Sequence, residues 1–213
     1  MSLGKITIER FQVNRTSKIA LYAAIIGPIQ SALGWIIAGS MWPGYDQAKQ
    51  TISELASPES PVKEIMSSFF VFGGLLTVIV ALYAKSLAMP ARVALFVSAL
   101  CTFGLTIFPT PLIGYSTMHR IFAISSFAIS AGWPLLALRR SKSAAVAVRP
   151  LATIIGTTLQ AGLALWFLAT WTDPTAVNVG IWERVVAVSQ AAYVSWVIVS
   201  IYLNDRKTKA AAL

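Results

Sequence analysis

Charged residues are scarce, 12% of a 213-residue chain, where a soluble domain of this size carries about 25%. So little polar surface cannot cover an apolar core in water. That excludes a soluble enzyme, a disordered tail and, despite a pI near 10, a nucleic-acid-binding domain. There is one cysteine, Cys101. No intrachain disulfide can form, a disulfide scaffold is excluded, and packing is the role expected of that thiol. There is one histidine, His119. Haem held by two histidines is thereby excluded, and a zinc site lacks the His or Cys ligands it normally takes, so no cofactor or metal is expected. Acids and bases are missing from the depths of the apolar runs, which excludes ion-coupled transport and voltage sensing.

Apolar residues dominate, at 56% of the chain with a mean hydropathy of +0.70. They gather into six runs long enough to cross a hydrocarbon core that needs roughly 20 helical residues. These runs cover about 19–41, 65–84, 89–108, 118–138, 151–171 and 181–203. Backbone groups in lipid must pair within their own segment, and barrel strands would be about half this length and alternating, so the runs read as helices. The expected fold is all-α, a single domain over 1–213 forming a bundle of six transmembrane helices.

Basic residues are strongly biased to one side of these runs. Thirteen of the seventeen, including Lys5, Arg10, Arg15, Lys18, Arg92, Arg149 and Lys209, flank one side, and only Lys49, Lys63, Arg120 and Arg184 the other. The positive-inside rule puts both termini in the cytoplasm, with the expected location a plasma (inner) membrane. The basic side also suits anionic inner-leaflet lipid, and no nucleic-acid partner is expected. The first run is longer than the core of a cleaved signal and reads as a retained span.

The outer connections open with aromatic and proline-bearing turns, which suit an interfacial belt: Trp42-Pro43-Gly44-Tyr45, Phe108-Pro109 and Trp171-Thr172-Asp173-Pro174. From Tyr45 to Ala56 the first outer loop fits a short amphipathic helix lying along the membrane surface. Tyr45, Ala48, Ile52, Leu55 and Ala56 would share its apolar face, Asp46, Gln50, Ser53 and Glu54 the polar one, and Asp46 would be its N-cap.

The candidates for chemistry lie on this same side. If Ser116 caps the fourth span, His119 falls in the first turn, where the helix dipole disfavours a positive ring. A neutral imidazole there can accept a proton or a hydrogen bond near pH 7. Arg120 follows it, and anchoring at the headgroups is the plainer role for both. A carboxylate within about 4 Å of either would close a polar cluster, with Asp46, Glu54, Asp173 and Glu183 available. Glu183 and Arg184 also read as ordinary helix-start residues. Ser53 or Ser116 with His119 and Asp46 or Glu54 can be written as nucleophile, base and orienter, though no elbow motif supports it. Deeper in the spans, Gln30, Gln160, Ser189 and Gln190 read either as interhelical hydrogen-bond glue or as a layer that meets a neutral solute. Gly27-Pro28 is expected to bend the first span and line a cavity.

Trp42-Pro43-Gly44-Tyr45, Ile52-Ser53-Glu54-Leu55, Gly73-Gly74, Phe108-Pro109 and His119 together resemble the small six-helix prokaryotic membrane proteins of domain-of-unknown-function family 998. The resemblance covers chiefly spans one to four. It implies the six-helix fold and draws attention to Tyr45, Ser53, Glu54, Pro109 and His119, and it implies no activity.

The expectation is an outward-facing polar site that binds or processes a lipid headgroup or small amphiphile. Its catalytic candidates are His119, Glu54 and Ser53, and its ligand contacts are Tyr45, Asp46, Tyr115, Arg120, Gln30, Gln160 and Gln190. The alternatives are a non-catalytic subunit that docks a partner protein through Tyr45, Ile52 and Leu55 of the first outer loop, and a facilitator for a neutral solute.

Overall fold

Ser and Pro at the edges of several apolar runs set where helices start. In the computed structural model, which describes residues 15–210, Ser17 caps α1 (Lys18–Ser40) by accepting from the Ala20 N–H at 3.2 Å. Four residues form α2 (Ile52–Leu55), followed by α3 (Lys63–Tyr83) and α4 (Met89–Ile107), whose first turn contains Pro90. Ser116 caps α5 (Thr117–Leu136), and Pro150 opens α6 (Pro150–Thr172) after a 3-10 turn at Val146–Val148. The last helix, α7 (Val179–Ala210), runs beyond the apolar stretch into Asn204, Asp205 and Arg206. Lys5, Arg10 and the side chain of Lys209, all in the basic set, lie outside the described residues. Among the described residues there is no strand, only an isolated bridge between Thr16 and Ala84.

The six long helices close into a ring in the order α1, α3, α4, α5, α6, α7 and back to α1. Five of them, all but α5, are long and apolar enough to cross a membrane. The 20 residues of α5 include His119, Arg120 and three serines, which lower its hydropathy. Ile19, Ile29, Val93, Leu159 and Leu165 are among the many large apolar side chains left exposed around the ring. A belt of this extent belongs against hydrocarbon rather than water.

One end of the ring carries both ends of the described chain. There the Thr16 N–H and the Ser86 hydroxyl both donate to Asp205 Oδ2, at 3.0 and 2.5 Å. Arg92 donates to the Ala81 and Leu82 carbonyls that end α3, at 2.6 and 2.9 Å, so part of the basic set caps helix ends. The opposite end, the mouth, gathers the 41–62, 108–116 and 173–179 connections.

Two cores hold the ring. Small residues of α1, Ala20, Ala23 and Ala24, pack against Leu76 and Val80 of α3, with Trp133 and Ile198 completing this first core. At the mouth Ile52, Leu55 and Ala56 pack on Ala38, Val62 and Met66. Between them lies a central cavity of about 200 Å³, lined by α1, α3, α4, α5 and α7 together with Ile52. The helix of α1 continues unbroken through Gly27-Pro28, and Gly27 lines this cavity.

Candidate functional site

The first connection at the mouth is mostly turns, where a helix from Tyr45 to Ala56 was expected. Gly44 takes a φ of +82°, a conformation that suits glycine and breaks any continuation of α1. Asp46 then caps a turn, its Oδ1 accepting from the Ala48 N–H at 2.9 Å, and that bond, with Lys49 behind it, holds the carboxyl below the usual carboxylate range. It therefore does not start a helix. The N-cap is Thr51, in a reciprocal capping box with Glu54: Thr51 Oγ1 accepts from the Glu54 N–H and Glu54 Oε1 from the Thr51 N–H, both at 3.2 Å. Nor does this segment lie along a surface. Leu55 is 0% and Ile52 4% exposed, because apolar side chains at this spacing bury more area in the ring's mouth than flat on an interface. Of the residues expected to meet a partner protein, Ile52 and Leu55 are thus buried within the chain, and Tyr45 is half-buried.

Two adjacent charges on α7 hold this segment down. Glu183, 5% exposed, accepts from the Ile52 N–H at Oε2 and from the Ser53 hydroxyl at Oε1, the latter at 3.2 Å. Arg184, 8% exposed, donates from Nη1 to the Gln50 and Gly180 carbonyls at 2.9 and 2.8 Å, and from Nη2 to the Tyr45 hydroxyl at 2.6 Å. Its guanidinium also lies 5.3 Å from the Trp35 ring centroid. Tyr45 in turn donates to the Thr51 carbonyl at 2.7 Å. Burial raises the Tyr45 phenol above its ordinary range, against the pull of Arg184, so it stays a donor at neutral pH. The Ile181 N–H donates to the Ala48 carbonyl at 3.2 Å. At Gly180 a Cβ would meet the carbonyl oxygens of Gln50 and Gln47, so the close approach of α7 to this turn requires glycine. Glu183 and Arg184 are therefore more than helix-start residues. The available signal was the pair of opposite charges beside a long apolar run, which lipid would not tolerate unpartnered.

The facing wall comes from the start of α5. Ser116 Oγ accepts from the His119 N–H at 3.2 Å, which places the imidazole in the first turn. The ring is 2% exposed, and its Nδ1 lies 3.0 Å from the Phe108 carbonyl. A carbonyl can only accept, so Nδ1 carries the hydrogen, and in the neutral ring Nε2 keeps the lone pair. Arg120 lies over the rings of Tyr115 and Trp171, 4.5 and 5.3 Å from their centroids. Among the described residues it has no carboxylate within ion-pair distance; the pairs present are Lys49–Asp46 and Lys63–Glu64. A further tie joins the two walls, because Glu59 accepts from the Ser57 hydroxyl and, at 3.2 Å, from the Leu112 N–H. Those bonds hold the Glu59 carboxyl below the usual range, Ser57 contributing most.

Between these walls is a cavity of about 140 Å³. Of the residues singled out from sequence, Ser53, Glu54, Tyr115, His119 and Arg120 line it together, joined by Glu183. Tyr45 and Asp46 stand outside it, as parts of the loop's own bonding. Gln30 and Gln190 line the central cavity instead. The glutamines do not pair with one another: Gln190 Nε2 donates to the Phe127 carbonyl at 3.1 Å, and Gln160 Oε1 accepts from the Ser189 hydroxyl at 3.0 Å. Gln30 Oε1 is buried without a partner. The serine–histidine–carboxylate chain is not joined by hydrogen bonds, since Ser53 bonds Glu183 and Ser116 bonds the His119 backbone. Among the described residues no three His, Cys, Asp or Glu side chains gather as metal ligands would.

The arrangement sets a cation, held on aromatic rings and free of carboxylates, across a small cavity from two carboxylates that already accept bonds and retain acceptor capacity. It is a polar pocket at one end of a ring of membrane-type helices. The chain belongs to the family described as protein of unknown function (DUF998), which it matches over residues 25–200. No curated protein and no solved structure matches it.

Proposed function

We propose that this is a six-span inner-membrane protein whose outward-facing mouth cavity binds the headgroup of a membrane lipid or similar amphiphile. The reading of α5 as the sixth span rests on its path. It runs from the mouth, where His119 meets Phe108, to the opposite end, where the Arg139 N–H donates to the Val148 carbonyl at 2.7 Å. Its polar groups turn inward: Ser130 bonds Ser98 at 2.9 Å and Ser126 lines the central cavity, while Ile121 and Ile124 are exposed. The orientation rests on the thirteen-to-four bias of basic residues, which puts the mouth outside.

The observation that carries the function is the shared lining of one cavity by Glu54, His119 and Arg120. Arg120 takes an anionic group such as phosphate, and the carboxylates and the His119 lone pair accept hydrogen bonds from amine or hydroxyl groups. His119 and Glu54 are the groups that would move a proton were the bound amphiphile also processed. The test is native mass spectrometry of protein released from native membrane. Wild type retains phospholipid and Arg120→Gln loses it, while Arg92→Gln, at the opposite end, keeps it. Equal retention by all three would reject the reading.

A second reading is supported by the central cavity, where the unpartnered Gln30 carbonyl awaits a donor from a neutral polar solute. Gln30→Leu should then slow solute flux into proteoliposomes, and an unchanged rate would reject it.

A further inference from the structure

Beside the mouth cavity, between α5 and α6, lies an apolar groove of about 340 Å³. Apart from Thr157, its lining is Ala, Gly, Ile, Leu, Phe and Trp. Groove and mouth cavity are continuous in their walls, sharing Ala123, Phe127, Phe167 and Trp171. From Trp171 at the mouth to Thr157 the groove follows α6 for about 21 Å of helix. That exceeds the ~15 Å that one leaflet contributes to a ~30 Å hydrocarbon core. It is floored by small residues, including Ala131 and Gly132 of α5 and Ala161 of α6, and no atom outside the helix lies within 4 Å of where a Gly132 Cβ would be. Its rim is open to the side, with Ile124 45% and Leu165 66% exposed.

We propose that this groove seats one hydrocarbon chain of the same lipid whose headgroup occupies the mouth cavity, so that the protein recognises a membrane phospholipid as a whole. The inference rests on the headgroup reading above and adds where the chain lies. The argument for a lipid chain, rather than a helix of a second copy, is the junction. Arg120 sits over the Trp171 ring where groove and polar cavity meet, which is where a phosphate joined to an apolar chain would fall. Entry is lateral, past the exposed rim, and a chain in the groove leaves the membrane's hydrocarbon only for another apolar surface.

Gly132→Leu and Gly162→Leu form a matched pair. Each adds its Cβ where nothing lies within 4 Å and replaces a poor helix former with a good one, and only Gly132 lines the groove. Full-length protein in detergent would be titrated with dipalmitoyl phosphatidylethanolamine and, separately, with water-soluble glycerophosphoethanolamine. Gly132→Leu should weaken the phospholipid by at least about tenfold and leave the soluble headgroup unchanged, with Gly162→Leu like wild type for both. The chain seat is overturned if Gly132→Leu binds phospholipid as wild type does, if Gly162→Leu weakens it equally, or if wild type binds the soluble headgroup as tightly as the whole lipid. It is also overturned if Gly132→Leu dissolves a dimer, which would give the groove to a second copy. Arg120→Gln that leaves both ligands untouched rejects the headgroup reading and not the groove.

Discussion

Arg184→Met removes the clamp that holds the 45–56 segment in the mouth without changing any cavity-lining residue, since Arg184 is not one of them. The guanidinium makes three hydrogen bonds, at 2.9, 2.8 and 2.6 Å, and bonds from a charged group are worth about 1.5–3 kcal/mol each. The sum overstates the loss. The buried cation also carries a desolvation penalty that Met does not, and two of the acceptors keep partners, since Tyr45 still donates to the Thr51 and Gln50 carbonyls. Methionine also replaces much of the stem's packing. We expect the segment's opening free energy to fall by about 2–3 kcal/mol, which accelerates local exchange about 30- to 150-fold at about 1.4 kcal/mol per factor of ten. Hydrogen–deuterium exchange of peptides covering 46–56 measures this, with α3 as the internal reference. Arg184→Lys should fall between, because one ammonium cannot reproduce the planar fork. A change below about threefold, or one shared equally by α3, would refute the clamp.

Gly180→Ala should loosen the same segment by about 1–3 kcal/mol through overpacking, since the new methyl meets the Gln47 and Gln50 carbonyls. Trypsin should then cut faster at the exposed Lys49, and Gly162→Ala, with open space at its Cβ, should not change the rate. The Glu59 tie depends on pH. Its folded-state pKa is depressed by Ser57 and by the backbone, so its stabilisation is present above the unfolded value of about 4.3 and is lost as pH falls through the folded one. Corrected for intrinsic rate, exchange at the Leu112 amide should rise on acidification below about pH 4, and Glu59→Gln should remove that pH dependence.

The long helices were readable because lipid demands an unmistakable pattern: continuous apolar runs, closed by Ser, Pro or aromatic residues, with charge only at the ends. Ser116 before Thr117 also announced the α5 cap and the place of His119. The mouth was harder. Tyr45 to Ala56 has a helical period, yet Gly44 and Asp46 each favour a turn, and the period served burial rather than a continuous helix. The box Thr51-Ile52-Ser53-Glu54 is a legible helix start that marks the true beginning of α2. Glu183 and Arg184 bond loop atoms 130 and 134 positions earlier, a pairing that no local pattern encodes. Gln30, Gln160 and Gln190 are buried, and their partners depend on helix rotation, which apolar runs on every face leave undefined.

A cryo-electron microscopy map of the protein in lipid nanodiscs bears most directly on the mouth cavity as a headgroup site. The account predicts a phospholipid headgroup between Arg120 and Glu54, with one chain descending between α5 and α6. A cavity filled by water or side chains, with every ordered lipid in the outer belt, would contradict it.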